Sequence, residues 1–173
     1  RERARLKQPE QETTHQMTLE IQAMLRLFGL PYITAPMEAE AQCAQLSIQH
    51  LVDGIITDDS DVFLFGGSPV YRHMFNHRQS VECYWMSDME RELGLSRTRL
   101  IQLAVLLGSD YTEGLTGVGP VLAMEILSLY PGDHALESFR DWWREVQMGH
   151  DTMPRSKVRA RIQRTLRDLS RIP

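Results

Sequence analysis

Apolar residues recur at spacings of three and four from Thr14 onward: Met17, Ile21, Met24, Leu25 and Phe28 make one helical stripe. Gly29 stands where a helix C-cap is expected. The rhythm then shortens. Pro31-Tyr32-Ile33-Thr34-Ala35 has the look of a strand, and Pro36 closes it while being pre-organised for the first helical turn. A helix over about 36–49 follows, with Ala41, Cys43, Ala44 and Leu46 as packing residues. A second, buried strand is predicted near 53–57, around Gly54-Ile55-Ile56.

Val62-Phe63-Leu64-Phe65 ends at the turn Gly66-Gly67. The runs 70–75 and 81–86 flank a polar segment and predict a strand pair or hairpin. Ser87-Asp88-Met89-Glu90 has capping-box form for a short helix ending near Gly94, and Ser96 caps another that runs to Gly108. Beyond Pro120 the stripes Val121–Leu127, then Leu136, Phe139, Trp142 and Trp143, then Val158, Ile162, Leu166 and Leu169 predict three further helices. Helices alternating with short apolar strands imply a layered α/β fold with several parallel strands.

Composition narrows this picture only a little. A chain of 173 residues, 42% apolar and 24% charged, is long enough for one domain with a core and a small appendage. The net charge of −4 argues against a uniformly basic nucleic-acid binder. Two distant cysteines, Cys43 and Cys83, frame neither a disulfide scaffold nor a zinc site and point to a reducing compartment. No apolar run approaches the length of a membrane span, so a membrane partner is not expected. Residues 1–13 are charged, polar and broken by Pro9, and read as a linker or a frayed helix at the end of a disordered segment.

Charge becomes informative through its placement. Glu38 and Glu40 follow the strand-ending Pro36, and Asp58, Asp59 and Asp61 follow Ile55-Ile56. Asp110 follows the apolar run Leu103–Leu107. Residues two apart on an extended segment share a face, so Asp59 and Asp61 point one way and Asp58 the other. Three acidic clusters at the ends of apolar elements repel one another unless a cation compensates them. Oxygen donors without supporting Cys or His suit hard divalent ions, Mg2+ or Mn2+. The plain alternative for each cluster alone is a solvated, acid-rich first turn.

After Asp110 the character changes. Gly114-Leu115-Thr116-Gly117-Val118-Gly119-Pro120 opens a helix, and such a turn presents bare backbone N–H groups to a phosphate. Equally, its glycines fit a tight helix–turn–helix in which they only supply positive φ. Paired tryptophans can stack bases, although core packing is the commoner use. From Arg155 the chain turns basic: Arg155, Lys157, Arg159, Arg161, Arg164, Arg167 and Arg171 stand against Asp168. That face fits either a polyanion backbone or plain solvent.

The segments PMEAEAQCA, ITDDSDVFLFG and LLGSDYTEGLTGVGP, in this order, resemble the internal nuclease region of the XPG/flap-endonuclease family. Their wording is closest to the family's excision-repair branch, and the similarity runs from about Met17 to Trp143. The resemblance implies a PIN-like three-layer α/β/α core with a mostly parallel sheet, followed by a helix-two-turn-helix DNA-binding segment. It implies 14–111 as the nuclease region and 112–173 as that segment with basic C-terminal helices.

The implied activity is two-metal hydrolysis of DNA at single-strand/double-strand junctions, in nucleotide excision repair and hence in the nucleus. By matching position, Glu38, Glu40, Asp59, Asp61 and Asp110 would be the catalytic acids and metal ligands for two Mg2+, with Mn2+ as a substitute. Gly114, Thr116, Gly117, Gly119, Arg155, Lys157 and Arg159 would contact DNA. Gly114, Leu115 and Val118 would hold a monovalent ion, K+, in the turn.

Expected partners are junction, bubble or flap DNA, repair-complex proteins, and an amino-terminal nuclease region of the same full-length protein that supplies further aspartates. Two departures matter: Val121 and Leu122 stand where flap endonucleases carry basic residues, and the amino-terminal half of the site lies outside this sequence. A DNA-binding scaffold of the same fold without chemistry, or a PIN-type ribonuclease, are the competing readings.

Overall fold

The computed structural model describes residues 15–75, 80–150, 153–154 and 156–169, without side chains for 167–169. The expected linker 1–13 and Arg155 lie outside the described residues. The chain divides into two compact units, Arg1–Ala39 and Glu40–Pro173.

In the first unit, helix α1 spans His15–Leu27, matching the apolar stripe. Gly29 takes φ +69°, and Leu30 N–H bonds to Leu25 C=O at 2.9 Å, a left-handed cap that ends the helix. Arg26 lies over the Tyr32 ring at 5.4 Å and donates to its hydroxyl. The strand expected over 32–35 does not form. Those residues are irregular, no described strand pairs with them, and Ile33 is 62% exposed. An apolar run becomes a strand only when a neighbour completes its hydrogen bonds. The next helix starts at Ala39 rather than Pro36, because a bend at 36–37 turns the chain first.

The second unit begins at Glu40, within that helix, α2 (Ala39–Ile48). Three short strands follow: β1 (Ile55–Ile56), β2 (Val70–Arg72) and β3 (Glu82–Tyr84). They form a sheet in the order β1-β2-β3, with β1 parallel to β2 and β2 antiparallel to β3. The sheet is thus smaller and more mixed than the mostly parallel sheet expected, because the antiparallel β2–β3 ladder supplies three of its five residue pairs. Between β1 and β2 the chain makes a 3-10 turn, Asp61–Phe63, which buries Val62 and Phe63.

Helix α3 (Met86–Leu93) starts earlier than the capping box at Ser87 predicts. The hydroxyl of Ser68 accepts from Met86 N–H at 3.1 Å, so an earlier backbone donor is satisfied and Ser87 is drawn inside the helix. Gly94 closes it at φ +65°. Ser96 caps α4 (Arg97–Leu107) through its hydroxyl, as expected, and Gly108 ends it. Helices α5 (Pro120–Leu129), α6 (Ala135–Gln147) and α7 (Lys157–Leu169) complete the unit.

Two apolar clusters hold it together. One gathers Ala44, Ile55, Val62, Phe63 and Val70, with Leu100 and Met89 against them. The other joins Leu106, Leu122, Ile126, Leu127, Tyr130, Phe139, Trp142, Val146 and Ile162. Each buried Leu or Ile there contributes about 1.5–3 kcal/mol. Helix α4 faces both clusters, with Leu100 in the first and Leu103 and Leu106 in the second. Trp142 is 2% exposed, so its ring packs in the core and is not a base-stacking platform. No helix among the described residues is long and apolar enough to cross a membrane.

Candidate functional site

The end of β1 sets the first acids. Ile55 and Thr57 N–H groups bond to Pro69 and Tyr71 carbonyls of the β2 side at 3.0 and 3.2 Å. Past Thr57 the ladder stops and side chains take over. Thr57 Oγ1 accepts from Asp59 N–H at 3.0 Å, and Asp59 Oδ1 accepts from Asp61 N–H at 2.9 Å. This local bonding turns the chain into the 3-10 turn that Asp61 opens. Asp58 points the other way, and its Oδ1 accepts from His73 N–H at 2.7 Å. The predicted split of faces therefore holds, although a turn rather than a strand produces it.

Asp110 arrives on a second turn. Gly108, at φ +97°, ends α4, and Ser109 and Thr112 exchange backbone hydrogen bonds around Asp110. Asp59, Asp61 and Asp110 together line one cavity of about 580 Å3, whose wall is Phe63, Leu64, Met89, Leu100, Leu103 and Leu107. Asp59 and Asp110 are exposed and Asp61 half-buried. Carboxylates more than forty positions apart in sequence thus meet on one concavity, with apolar side chains behind them.

Glu40 lies in the first turn of α2 and is not among the described lining residues of this cavity. The Cys43 thiol, one turn after Glu40, is pushed above the usual thiol range, first by desolvation and then by the Glu40 charge. Glu38 precedes α2 and belongs to the first unit. The donor set, all carboxylate, matches hard divalent cations. Among the described residues, however, no three His, Cys, Asp or Glu side chains come close enough to share one ion. The acids thus have the chemistry such an ion requires, but among the described residues they do not gather three around one point.

The glycine turn sits directly beside Asp110. Gly114 has φ +70°, and a Cβ there would come within 2.4 Å of Gly108 N and 2.5 Å of Leu107 C. Leu115 N–H bonds to Leu106 C=O at 2.9 Å, so the turn is fastened to the end of α4. Gly117, at φ +77°, completes a turn closed by Val118 N–H to Leu115 C=O. Thr116, Gly117 and Gly119 are exposed, Leu115 is half-buried and Val118 is buried. Gly119 caps α5, and a Cβ on it would meet nothing within 4 Å. The positive-φ and phosphate-cradle readings divide by residue: Gly114 is required for close packing, while Gly119 leaves an open helix start.

The basic face is partly committed elsewhere. Arg161 pairs with Glu125 of α5 at 3.0 Å. Arg159 donates to Pro154 C=O at 3.0 Å and lies over the Trp142 ring at 5.9 Å. Lys157 and Arg164 are exposed. Nothing in the spacing of α7 marks Arg159 as turned inward, since its partner Trp142 is on another helix.

Comparison with known proteins bears on all of this. The family profile described as the XPG I-region matches residues 29–110. The chain is 60% identical over 139 residues to the DNA repair protein rad13 of Schizosaccharomyces pombe, covering 80% of this chain and 12% of that protein. It is 49% identical over 162 residues to the DNA excision repair protein ERCC-5 of Mus musculus, covering 92% of this chain and 14% of that protein. The catalytic core of Rad2, solved in complex with DNA substrate, superposes with a TM-score of 0.85 at 46% identity, covering 93% of this chain and 50% of that one. The chain thus spans about an eighth of the length of these curated relatives.

Proposed function

Because the chain belongs to the XPG/flap-endonuclease family of structure-specific nucleases, we propose that it is the internal nuclease region of a DNA endonuclease acting in nucleotide excision repair, in the nucleus. Residues 14–111 form the nuclease part, and 112–173 the helix-two-turn-helix with the basic helices. The observation that carries this reading is the meeting of Asp59, Asp61 and Asp110 on one cavity beside a glycine turn that opens a helix.

Glu38, Glu40, Asp59, Asp61 and Asp110 would hold two Mg2+, or Mn2+ in their place. When bound, such a pair supplies Lewis acidity on both sides of a scissile phosphate and eases ionisation of the attacking water. The chain's own residues do the rest. The carboxylates fix where the cations sit, and the apolar wall from Phe63 to Leu107 excludes bulk water from one side. N–H groups at the start of α5 receive a backbone phosphate some way from the cut, and Lys157 adds charge beside them. The turn of Gly114, Leu115 and Val118 would take K+ through its carbonyls. Substrates are junction, bubble or flap DNA, and partners are repair proteins together with the amino-terminal nuclease region that completes the carboxylate set.

Full-length protein carrying Asp61→Ala or Glu40→Ala should lose junction cleavage by at least about 100-fold while binding junction DNA nearly as well as before. Cutting at the normal rate by either variant removes that residue from the ligand set. The scaffold reading draws support from the absence of a three-acid group among the described residues. Calorimetry decides between the two, because a scaffold takes up no Mn2+ in a carboxylate-dependent manner.

A further inference from the structure

Asp58 matches no ligand position, yet it is tethered through both its side chain and its backbone. Its carboxylate Oδ1 accepts from His73 N–H at 2.7 Å, and its carbonyl accepts from the guanidinium of Arg72. The ring of His73 continues the link. Its Nδ1 lies 3.5 Å from Asp58 Oδ1, and its Nε2 lies 3.6 Å from Glu82 Oε2. Glu82 in turn accepts from the Tyr84 hydroxyl at 2.7 Å, a bond that raises the Tyr84 pKa above the usual phenol range. Glu82 stands opposite Arg72 in the β2–β3 pairing.

The geometry has a simple origin. Thr57 N–H makes the last β1 bond to β2, through Tyr71 C=O. At the next rung the backbone of β1 has already turned away, and the Asp58 side chain takes its place opposite His73 N–H. His73 is held at φ +59°, a left-handed conformation that costs a non-glycine residue about 1–2 kcal/mol and persists only where neighbours over-determine it. One residue further along, Asp59 and Asp61 face the cavity.

We propose that Asp58 is a positioning residue: with its side chain replacing a backbone rung to His73 and its carbonyl held by the Arg72 guanidinium, it fixes the direction in which Asp59 and Asp61 present their carboxylates. This rests on the reading of Asp59 and Asp61 as metal ligands. It assigns Asp58 no contact with cation or DNA. Residues that orient first-sphere ligands typically matter by about 10–100-fold in metal affinity or activity.

The test uses the full-length protein and three substitutions at one position or its partner. Asp58→Ala removes the acceptor, Asp58→Asn keeps the accepting oxygen without the charge, and Arg72→Gln removes the guanidinium from the Asp58 carbonyl. Expected for Asp58→Ala is a fall in kcat and in Mn2+ affinity of about tenfold or more, with KM for junction DNA unchanged. Asp58→Asn should recover most of both. In metal-free protein, hydrogen exchange at His73 N–H should quicken in Asp58→Ala and stay slow in Asp58→Asn.

Equal loss in the Ala and Asn variants would mean that the charge itself acts, and would overturn the proposal. So would wild-type kcat in Asp58→Ala, or exchange at His73 unaltered by it. Arg72→Gln keeps the question open to measurement if Asp58→Ala fails to fold: a kcat equal to wild type there overturns the clamp. Asp61→Ala serves as the control. Loss of cleavage in Asp61→Ala with normal Asp58→Ala sinks the clamp alone, whereas normal cleavage by Asp61→Ala sinks the metal reading beneath it.

Discussion

Gly114 and Gly119 sit five positions apart and carry different burdens. A methyl group on Gly114 would collide with the backbone of Leu107 and Gly108, and its φ of +70° is unfavourable for alanine. Gly114→Ala should therefore cost about 3 kcal/mol, the sum of a left-handed penalty and an overpacked contact, seen as a lower melting temperature. Gly119→Ala meets no atom and should fold with a loss of about 1 kcal/mol or less, since only the N-cap preference is disturbed. If Gly119 serves DNA, its variant should bind a junction more weakly while melting nearly normally. Single-residue signals of this local kind were legible in the sequence: Gly29, Gly94 and Ser96 cap the helices they were expected to cap. Asp58 was not legible, because its partner His73 is fifteen residues away and only the pairing of Ile55 with Val70 brings them together.

At the scale of elements, periodicity located α1, α4, α5, α6 and α7, because stripes of apolar residues specify buried helix faces directly. It failed at 32–35, where strand character without a neighbouring strand yields no ladder. The capping box at Ser87 likewise misplaced the start of α3, which depends on a hydroxyl from Ser68, eighteen residues earlier. The basic stripe of α7 shows the same limit. Its charges look equivalent along the sequence, but Arg159 is spent on Trp142 and Pro154, and Arg161 on Glu125. Arg159→Ala should thus lower stability by about 1 kcal/mol with little effect on DNA affinity. Lys157→Ala should leave the melting temperature alone, weaken junction binding, and reduce the salt dependence of binding by about one charge. A reversal of these two outcomes would mean that Arg159 leaves the core when DNA binds.

At the scale of the molecule, the five acids were recognised as a set from three motifs, and the structure brings Asp59, Asp61 and Asp110 to one cavity. Glu38 lies in the other compact unit, and Glu40 does not line that cavity. Under the proposed metal reading, convergence would need cations and further carboxylates as well as the chain itself, so motif spacing alone could not describe it. The isolated 173-residue chain should accordingly show little or no Mg2+-dependent incision of a bubble or flap substrate. Robust cutting by the chain on its own would contradict the shared-site proposal.

Helix α4 touches both apolar clusters and ends at the turn bearing Asp110, while its Ile101 and Val105 side stays exposed. Close-packed interiors transmit displacement rather than absorb it. If a duplex binds at 114–119 as proposed, a change at Gly114, packed on Leu107 and Gly108 of the cavity wall, would alter grip and acid spacing together, whereas one at Gly119 would alter grip alone.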